Sequence, residues 1–276
     1  MEQNPLSHPL KELAGIDVHV KVVDVGASNL GGITPYAPLL AAGIADVVGF
    51  EPNPRALDRL NQLKGPHETY MSSLLQPNPK VLHLFHGLPE WGRVTEEITV
   101  NTVRLDDMPE TAGLDLLKMD IQGAELMVLR HAEERLKNAL VIQTEVEFLP
   151  MYVDQPLFSD MDIFLRERGF VLHRFYPTVS RVIKPLIVDN NPLAGLSQLL
   201  WADAIFVRDF TRPEVLSNRQ LLTMAEILHD CYGSVDLRCS SCMFMIIEMG
   251  AGSGGTILTH WSTLSSIYNT KECKSP

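Results

Sequence analysis

The stretch Lys21-Val-Val-Asp-Val-Gly-Ala27 joins an apolar, β-branched run to a glycine turn, and it decides the fold class. A second such run, Asp46-Val-Val-Gly-Phe50, ends directly before Glu51. Asp24 and Glu51 are separated by 27 positions, enough for a strand end, a helix and the next parallel strand. This layout predicts a nucleotide-binding α/β unit, in which the glycine turn lets a ligand approach the backbone. An acidic residue after the second strand can then accept hydrogen bonds from two ribose hydroxyls.

The glycine pattern of the first turn separates two classes of nucleotide ligand. A dinucleotide site uses three glycines as G-x-G-x-x-G, so that a helix N-terminus can hold a pyrophosphate. Here Gly26 is followed by Ala27, Ser28 and Asn29, and no register of the turn gives that pattern. Asp24, before the glycine, fits the ammonium group of a methionine moiety better than a pyrophosphate. The pattern therefore favours S-adenosylmethionine over a nicotinamide cofactor.

Composition fits an enzyme of ordinary size and argues against several other classes. The chain has 276 residues, 45% of them hydrophobic, so it can bury a full core. A net charge of −11 argues against nucleic-acid binding, which needs a basic face. The N-terminal sequence does not resemble a signal peptide, and no apolar run reaches the roughly 20 residues that cross a bilayer. The four cysteines all come after residue 230 and do not form a disulfide framework. We therefore expect a reducing, cytoplasmic location.

Predicted strands and helices alternate through most of the chain. After the two opening strands, further strands are predicted at 98–104, 114–119, 140–146, 170–175 and 201–207. Helices are predicted at 33–42, 123–136, 159–168 and 217–229, with another that starts at Pro54. Residues 61–98 are predicted to be irregular. Alternation of this kind predicts a mostly parallel sheet with helices on both faces.

We expect residues 1–230 to form one domain and residues 231–276 a divergent, flexible tail. The tail contains a single C-x-x-C, Cys239 to Cys242, which lacks the second pair of a zinc site. It also contains a glycine-rich run within 245–255. Only 21 residues follow Gly255, too few for a second nucleotide-binding unit, so this run is interpreted as a loop.

Four motifs carry a resemblance to a known family. They are Val23-Asp-Val-Gly-Ala27, Gly49-Phe-Glu-Pro-Asn-Pro54, Thr102-Val-Arg-Leu-Asp-Asp107 and Leu117-Lys-Met-Asp-Ile-Gln-Gly-Ala-Glu125. Together they resemble the FkbM family of methyltransferases over residues 20 to 207. The resemblance implies a class I methyltransferase fold, S-adenosylmethionine as donor, and a hydroxyl on a small molecule or glycan as acceptor. It indicates neither the particular acceptor nor the oligomeric state.

The sequence departs from the family pattern at two points. Ser28 stands where many members have asparagine. Only about ten residues, Leu60 to Thr69, are available for the usual third strand and its adenine-contacting loop. Either the segment from Val81 to Phe85 supplies that strand or the adenine side of the pocket is depleted. An inactive or weakly active relic is therefore one alternative function, and a nicotinamide-dependent oxidoreductase is another.

Candidate site residues follow the strand ends, where ligands of open α/β sheets bind. The predicted cofactor-binding residues are Asp24, Gly26, Ala27, Ser28, Asn29, Glu51, Pro52, Asp120 and Gln122. Asp24 could instead satisfy nearby backbone amides. Asp120 could instead cap the helix that follows it, and Glu125 could merely complement the dipole of that helix.

Methyl transfer to a hydroxyl needs a proton acceptor, and the predicted catalytic residues are Glu145 and Asp120. Glu145, at the end of a strand, is the first candidate for the base, with Glu147 and Asp120 as alternatives. The apolar segment 148–152 is expected to close the acceptor pocket, with Tyr152 at its border. His131 and His173 are interpreted as ordinary residues, and no metal site is predicted.

Overall fold

The computed structural model describes residues 18–27, 34–51 and 73–237. These residues divide into two compact units. The sheet unit comprises residues 20–27, 34, 45–51 and 73–209, and the helical unit comprises residues 18–19, 35–44 and 210–237. The predicted helix at Pro54 and the features of the tail lie outside the described residues.

The sheet unit contains a six-stranded sheet with the order β2-β1-β3-β4-β6-β5. The strands are β1 Val20–Val25, β2 Ala45–Phe50, β3 Leu116–Met119, β4 Val141–Glu147, β5 Phe170–Ser180 and β6 Leu199–Arg208. β1 to β4 are parallel to one another, whereas β6 is antiparallel to both β4 and β5. Five strands therefore run in one direction, and the prediction of a mostly parallel α/β sheet is confirmed.

Short helices follow the strands of the sheet unit. They are α2 Pro79–Leu82, α3 Leu88–Trp91, α4 Glu125–Arg130, α5 Glu133–Leu136 and α6 Phe158–Arg166. Apolar side chains of α4, α5 and α6 join those of the strands in one core cluster. This burial removes apolar surface from water, at about 25 cal/mol per Å², and holds the helices on the sheet.

The helical unit contains α1 Ala37–Ala41, which precedes β2 in the chain, and α7 Asn218–Tyr232. Ser217 caps α7 by accepting a hydrogen bond from the backbone N–H of Gln220, and Gly233 ends the helix with φ +60°. Because α7 continues to Tyr232 and the described residues end at Leu237, the domain boundary at residue 230 stays a prediction.

Two predictions about local structure are wrong, and one of two open alternatives is excluded. Residues 98–104 are exposed and form no strand. In the described part of the chain, the ladders of the sheet do not include them. Val81 to Phe85 do not supply a third strand, since Pro79 begins helix α2 and the carbonyl of Asn78 accepts the first helical hydrogen bonds. The helix predicted over 123–136 is divided into α4 and α5, because the Asp106 carboxylate accepts hydrogen bonds from the backbone at the start of α5.

The ends of β1, β2 and β3 meet at Gly26. The backbone N–H groups of Gly26 and Ala27 both donate to the carbonyl of Phe50, over 2.9 and 3.0 Å. Gly26 has φ +82°, and a Cβ atom there would lie 2.0 Å from the backbone oxygen of Asp120. Glycine is therefore required at this position both by its dihedral angle and by the space available.

We expect Gly26→Ala to lower the free energy of unfolding by at least about 3 kcal/mol, because strained backbone and steric overlap add. Gly113→Ala is the matched control: Gly113 also has a positive φ, +72°, but a Cβ there meets nothing within 4 Å. It should cost only about 1–2 kcal/mol. Urea unfolding followed by circular dichroism measures both values, and equal losses would contradict the steric argument.

Candidate active site

The predicted cofactor residues that the structure describes lie at one edge of the sheet. Glu51 directly follows Phe50, whose carbonyl holds the turn of Gly26 and Ala27. The backbone of Glu51 is thus next to the glycine turn. Contact of its carboxylate with a nucleoside stays a prediction. Ser28, Asn29 and Pro52 lie outside the described residues, so their predicted contacts stay predictions.

Asp24 lies inside the sheet on β1, two residues before Gly26. Its side chain is 1% exposed, and Oδ1 is 3.1 Å from Nζ of Lys118 on the neighbouring strand β3. The carboxylate therefore already has a cationic partner, which the sequence analysis did not identify. A contact between Asp24 and the amino acid part of the cofactor stays a prediction.

Gln122 connects the two predicted catalytic carboxyl groups. Asp120 follows β3, and its backbone N–H donates to the carbonyl of Val25. The side-chain Nε2 of Gln122 donates to Oδ1 of Asp120 over 2.8 Å and to Oε2 of Glu145 over 3.2 Å. The hydroxyl of Tyr152 donates to Oε1 of the same amide over 3.3 Å. The structure thus brings Asp120, Gln122, Glu145 and Tyr152 together.

The alternative role for Asp120 as a helix cap is not what the structure shows. Helix α4 begins at Glu125, and its N-cap residue, Ala124, receives no side-chain hydrogen bond. Glu125 instead accepts a 2.9 Å hydrogen bond from the backbone N–H of Ile121. Glu125 is buried, and this burial raises the pKa of its carboxyl group to about 7. Glu125 therefore fixes the loop between β3 and α4.

A cavity of about 120 Å³ opens beside the carboxyl groups of Glu145 and Glu147. Its polar end is formed by Gln122, Glu145, Glu147 and Tyr152. The remaining wall is apolar, except for the backbone of a glycine, and consists of Pro77, Leu82, Leu88, Trp91, Gly92, Met151 and Trp201. An apolar wall with a few convergent polar groups is the lining typical of a small-molecule site.

Most of the apolar wall comes from residues 77–92, which lie in the segment 61–98 that was predicted to be irregular. The backbone N–H of Asn78 donates to the carbonyl of Met151, and that of Val153 donates to the carbonyl of Gln76. Leu82 and Leu88 pack with Phe85 and Leu200 in a second apolar cluster. Trp91 and Trp201 were not predicted as cavity residues, since neither belongs to any of the four motifs.

The segment 148–152 takes part in the cavity only at its end. Met151 and Tyr152 line the cavity, as predicted. Phe148 instead packs against Phe158 and Phe175, with ring centroids 5.9 and 5.6 Å apart. Its role is therefore to fix helix α6 on β5. Closure of the acceptor pocket by the segment 148–152 stays a prediction.

The electrostatic setting of the cavity raises the pKa values of its carboxyl groups. Desolvation, followed by the negative charge of Glu147, raises the pKa of Glu145 well above its ordinary value. Burial raises the pKa of Glu147 to about 8. Burial and the neighbouring carboxylates also raise the pKa of Tyr152, which therefore stays protonated. A carboxylate with a raised pKa is a stronger proton acceptor than an exposed one.

Other candidate features lie elsewhere or are missing from the described residues. His131 and His173 do not line the cavity. Among residues 18–27, 34–51 and 73–237, no three His, Cys, Asp or Glu side chains are grouped in a way that could hold a metal ion. The helices in these same ranges are all too short or too polar to cross a membrane. The predicted cytoplasmic location stays a prediction.

The fold is of the α/β type that binds nucleotide ligands at the carboxyl edge of its sheet, and comparison with known proteins identifies its family. Residues 24–172 match the sequence profile of the methyltransferase FkbM domain. The chain therefore belongs to the FkbM methyltransferase family. This confirms the predicted family, activity and methyl donor, S-adenosylmethionine, and decides against a nicotinamide-dependent oxidoreductase.

Individual relatives are more distant. The chain is 31% identical over 171 residues to the 2-O-methyltransferase NoeI of Sinorhizobium fredii. The matched region covers 51% of this chain and 70% of that protein. Among solved structures, it is 14% identical to the magnesium protoporphyrin IX methyltransferase ChlM of Synechocystis PCC 6803, solved with bound SAM. That likeness has a TM-score of 0.38 and covers 70% of this chain and 72% of that one. A methyltransferase structure from Thermoplasma acidophilum is 10% identical, with a TM-score of 0.32 and 70% of each chain covered.

Proposed function

We propose that this protein transfers a methyl group from S-adenosylmethionine to a hydroxyl group of a sugar or another small molecule. One observation carries the proposal: Glu145 lines a small cavity at the sheet edge that also bears Gly26 and Glu51. A possible proton acceptor is thus present at the edge where the predicted donor site lies. The name of NoeI, a 2-O-methyltransferase, supports oxygen as the acceptor atom.

The described residues fit the donor. Glu51 supplies a carboxylate beside the glycine turn, where it can accept hydrogen bonds from ribose hydroxyls. Gly26 has no side chain, so its turn packs directly against the backbone of Asp120 and keeps the ends of β1 and β3 together beside the proposed donor site. When bound, S-adenosylmethionine supplies a methyl carbon activated by a sulfonium sulfur, and the electron pair of the broken carbon–sulfur bond stays on sulfur.

Glu145 supplies the base that the acceptor hydroxyl needs. Its carboxylate takes the hydroxyl proton while the oxygen forms the new bond to carbon. Tyr152 and Gln122 border the same end of the cavity and can orient the hydroxyl by hydrogen bonds. The apolar wall, with Trp91 and Trp201, excludes water and packs against the non-polar face of the acceptor.

A weakly active relic of the family, with a depleted adenine side of the pocket, is the second candidate. The observation in its favour is that Val81 to Phe85, the described segment considered for the third strand, form no strand. Calorimetric titration with S-adenosylmethionine separates the two candidates. Binding with a Kd in the micromolar range supports an active enzyme, whereas no detectable binding supports the relic.

We expect Glu51→Ala to weaken S-adenosylmethionine binding by about 1.5–3 kcal/mol, because the ribose loses charge-assisted hydrogen bonds. Isothermal titration calorimetry measures this loss. Asp46→Ala is the control, because Asp46 is exposed near the start of the same strand, away from the edge with Gly26. Unchanged affinity in a folded Glu51→Ala variant would rule out the proposed contact.

We expect Glu145→Gln to bind S-adenosylmethionine nearly as well as the unchanged protein but to lose about 10²-fold or more in turnover, the scale for losing a general base. Transfer of a radiolabelled methyl group to a panel of free sugars and glycosides measures turnover. Glu134→Gln is the matched control, since the Glu134 side chain is 63% exposed. Full turnover by the Glu145→Gln variant would show that another group accepts the proton.

A further inference from the structure

The backbone of Gln122 is held in a strained conformation between β3 and α4. Its φ is +57°, in the left-handed region that residues other than glycine seldom adopt. Its carbonyl oxygen accepts a 2.7 Å hydrogen bond from Oγ of Ser73. At the next residue, Gly123, a Cβ would lie 2.7 Å from Nε2 of Gln155. Such strain persists only where the surroundings enforce it, and it is concentrated at functional sites.

The side chain of Gln122 uses both ends of its amide group. Nε2 donates to Asp120 and to Glu145, and Oε1 accepts from the hydroxyl of Tyr152. Carboxylates can only accept hydrogen bonds, so an amide is suited to join two of them. A glutamate at this position would bring a third carboxylate and could donate only if it were protonated.

We propose that Gln122 is a positioning residue for methyl transfer: its amide, which bridges Asp120 and Glu145, orients the Glu145 carboxylate in the acceptor cavity. The inference rests on the proposed role of Glu145 as the base. It assigns Gln122 a role toward the base and the acceptor, in addition to its predicted contact with the cofactor.

The negative charges around Glu145 explain why a neutral hydrogen-bond donor at Gln122 matters for the base. Four acidic groups lie around Glu145: Glu147 on β4, Asp120 after β3, Glu125 on α4 and Asp203 on β6. Two further titratable groups lie nearby, Lys118 on β3 and Tyr152. Lys118 pairs with Asp24, 3.1 Å away. Four acidic groups therefore raise the pKa of Glu145, in addition to the effect of desolvation. A hydrogen bond to the ionised form opposes this, and Gln122 donates one.

The sign of the effect follows directly. A base must be deprotonated to act, so turnover rises as the pH passes through the pKa of Glu145. Gln122→Met keeps the length of the side chain and removes the donor, which raises that pKa. Gln122→Glu removes the donor and adds negative charge, which raises it further. Either substitution moves the acidic limb of the pH–rate profile to higher pH.

The test is a titration of the Glu145 carboxyl carbon by NMR, in protein labelled with ¹³C at glutamate and with the Glu145 signal assigned from its loss in Glu145→Gln. We expect a pKa higher by about one pH unit or more in Gln122→Met, and a larger rise in Gln122→Glu. Gln198→Glu adds the same charge beyond the cavity, where Nε2 of Gln198 donates to the carbonyl of Leu199, and should leave the pKa unchanged. This measurement needs no acceptor.

An unchanged pKa of Glu145 in a folded Gln122 variant would overturn the inference. If Gln122→Met does not fold, Gln122→Glu, which keeps an oxygen toward Tyr152, still decides it. Failure of the proposed function gives a different result: the unchanged protein would then neither bind S-adenosylmethionine nor transfer methyl groups, whatever the titration shows. A raised pKa together with full turnover in Glu145→Gln would refute the base and therefore the positioning role.

Discussion

The close approach of the glycine turn to the end of β3 is the constraint on which the site depends. Only a residue without a side chain can stand where a Cβ would lie 2.0 Å from the carbonyl oxygen of Asp120. The same turn donates two backbone hydrogen bonds to the carbonyl of Phe50. Gly26 thereby places the residues after β1, β2 and β3 next to each other, and these include Glu51 and Asp120. The proposed donor side and the carboxyl cluster are both arranged by this contact.

The acceptor side depends on a different balance, between buried negative charge and a few neutral donors. Glu145 and Glu147 project into one cavity because they are two residues apart on β4. Their desolvation raises both pKa values, and the effect is useful only if Glu145 can still ionise near neutral pH. Gln122 and Tyr152 are hydrogen-bonding groups without charge, so they can orient this end of the cavity without adding to the repulsion. The apolar wall increases the electrostatic effects, since it keeps water away.

The sequence predicted the parts of the fold that depend on local pattern. Apolar runs, most of them rich in β-branched residues, predicted β1, β2, β3, β4 and β6. The acidic residues at their ends predicted that Glu51, Asp120 and Glu145 lie at one edge. Its errors have a common cause, which is interaction between distant segments. The alternating residues 98–104 resemble a strand, but pairing depends on a partner that the pattern does not show. The division of α4 from α5 depends on Asp106, which comes from an earlier turn. The cavity wall with Trp91 and Trp201 follows from the packing of residues 77–92 against β6 and the loop after β4, and no spacing in the sequence indicates it.

The central claim is that donor and acceptor meet at this edge of the sheet, with Glu51 on one side and Glu145 on the other. The most direct test is a crystal structure of the protein with bound S-adenosylhomocysteine, the demethylated product of the donor. The account predicts that both ribose hydroxyls lie within hydrogen-bonding distance of the Glu51 carboxylate. It also predicts that the sulfur atom faces the cavity lined by Gln122 and Glu145. A product molecule bound away from the turn at Gly26, or with its sulfur directed away from that cavity, would contradict it.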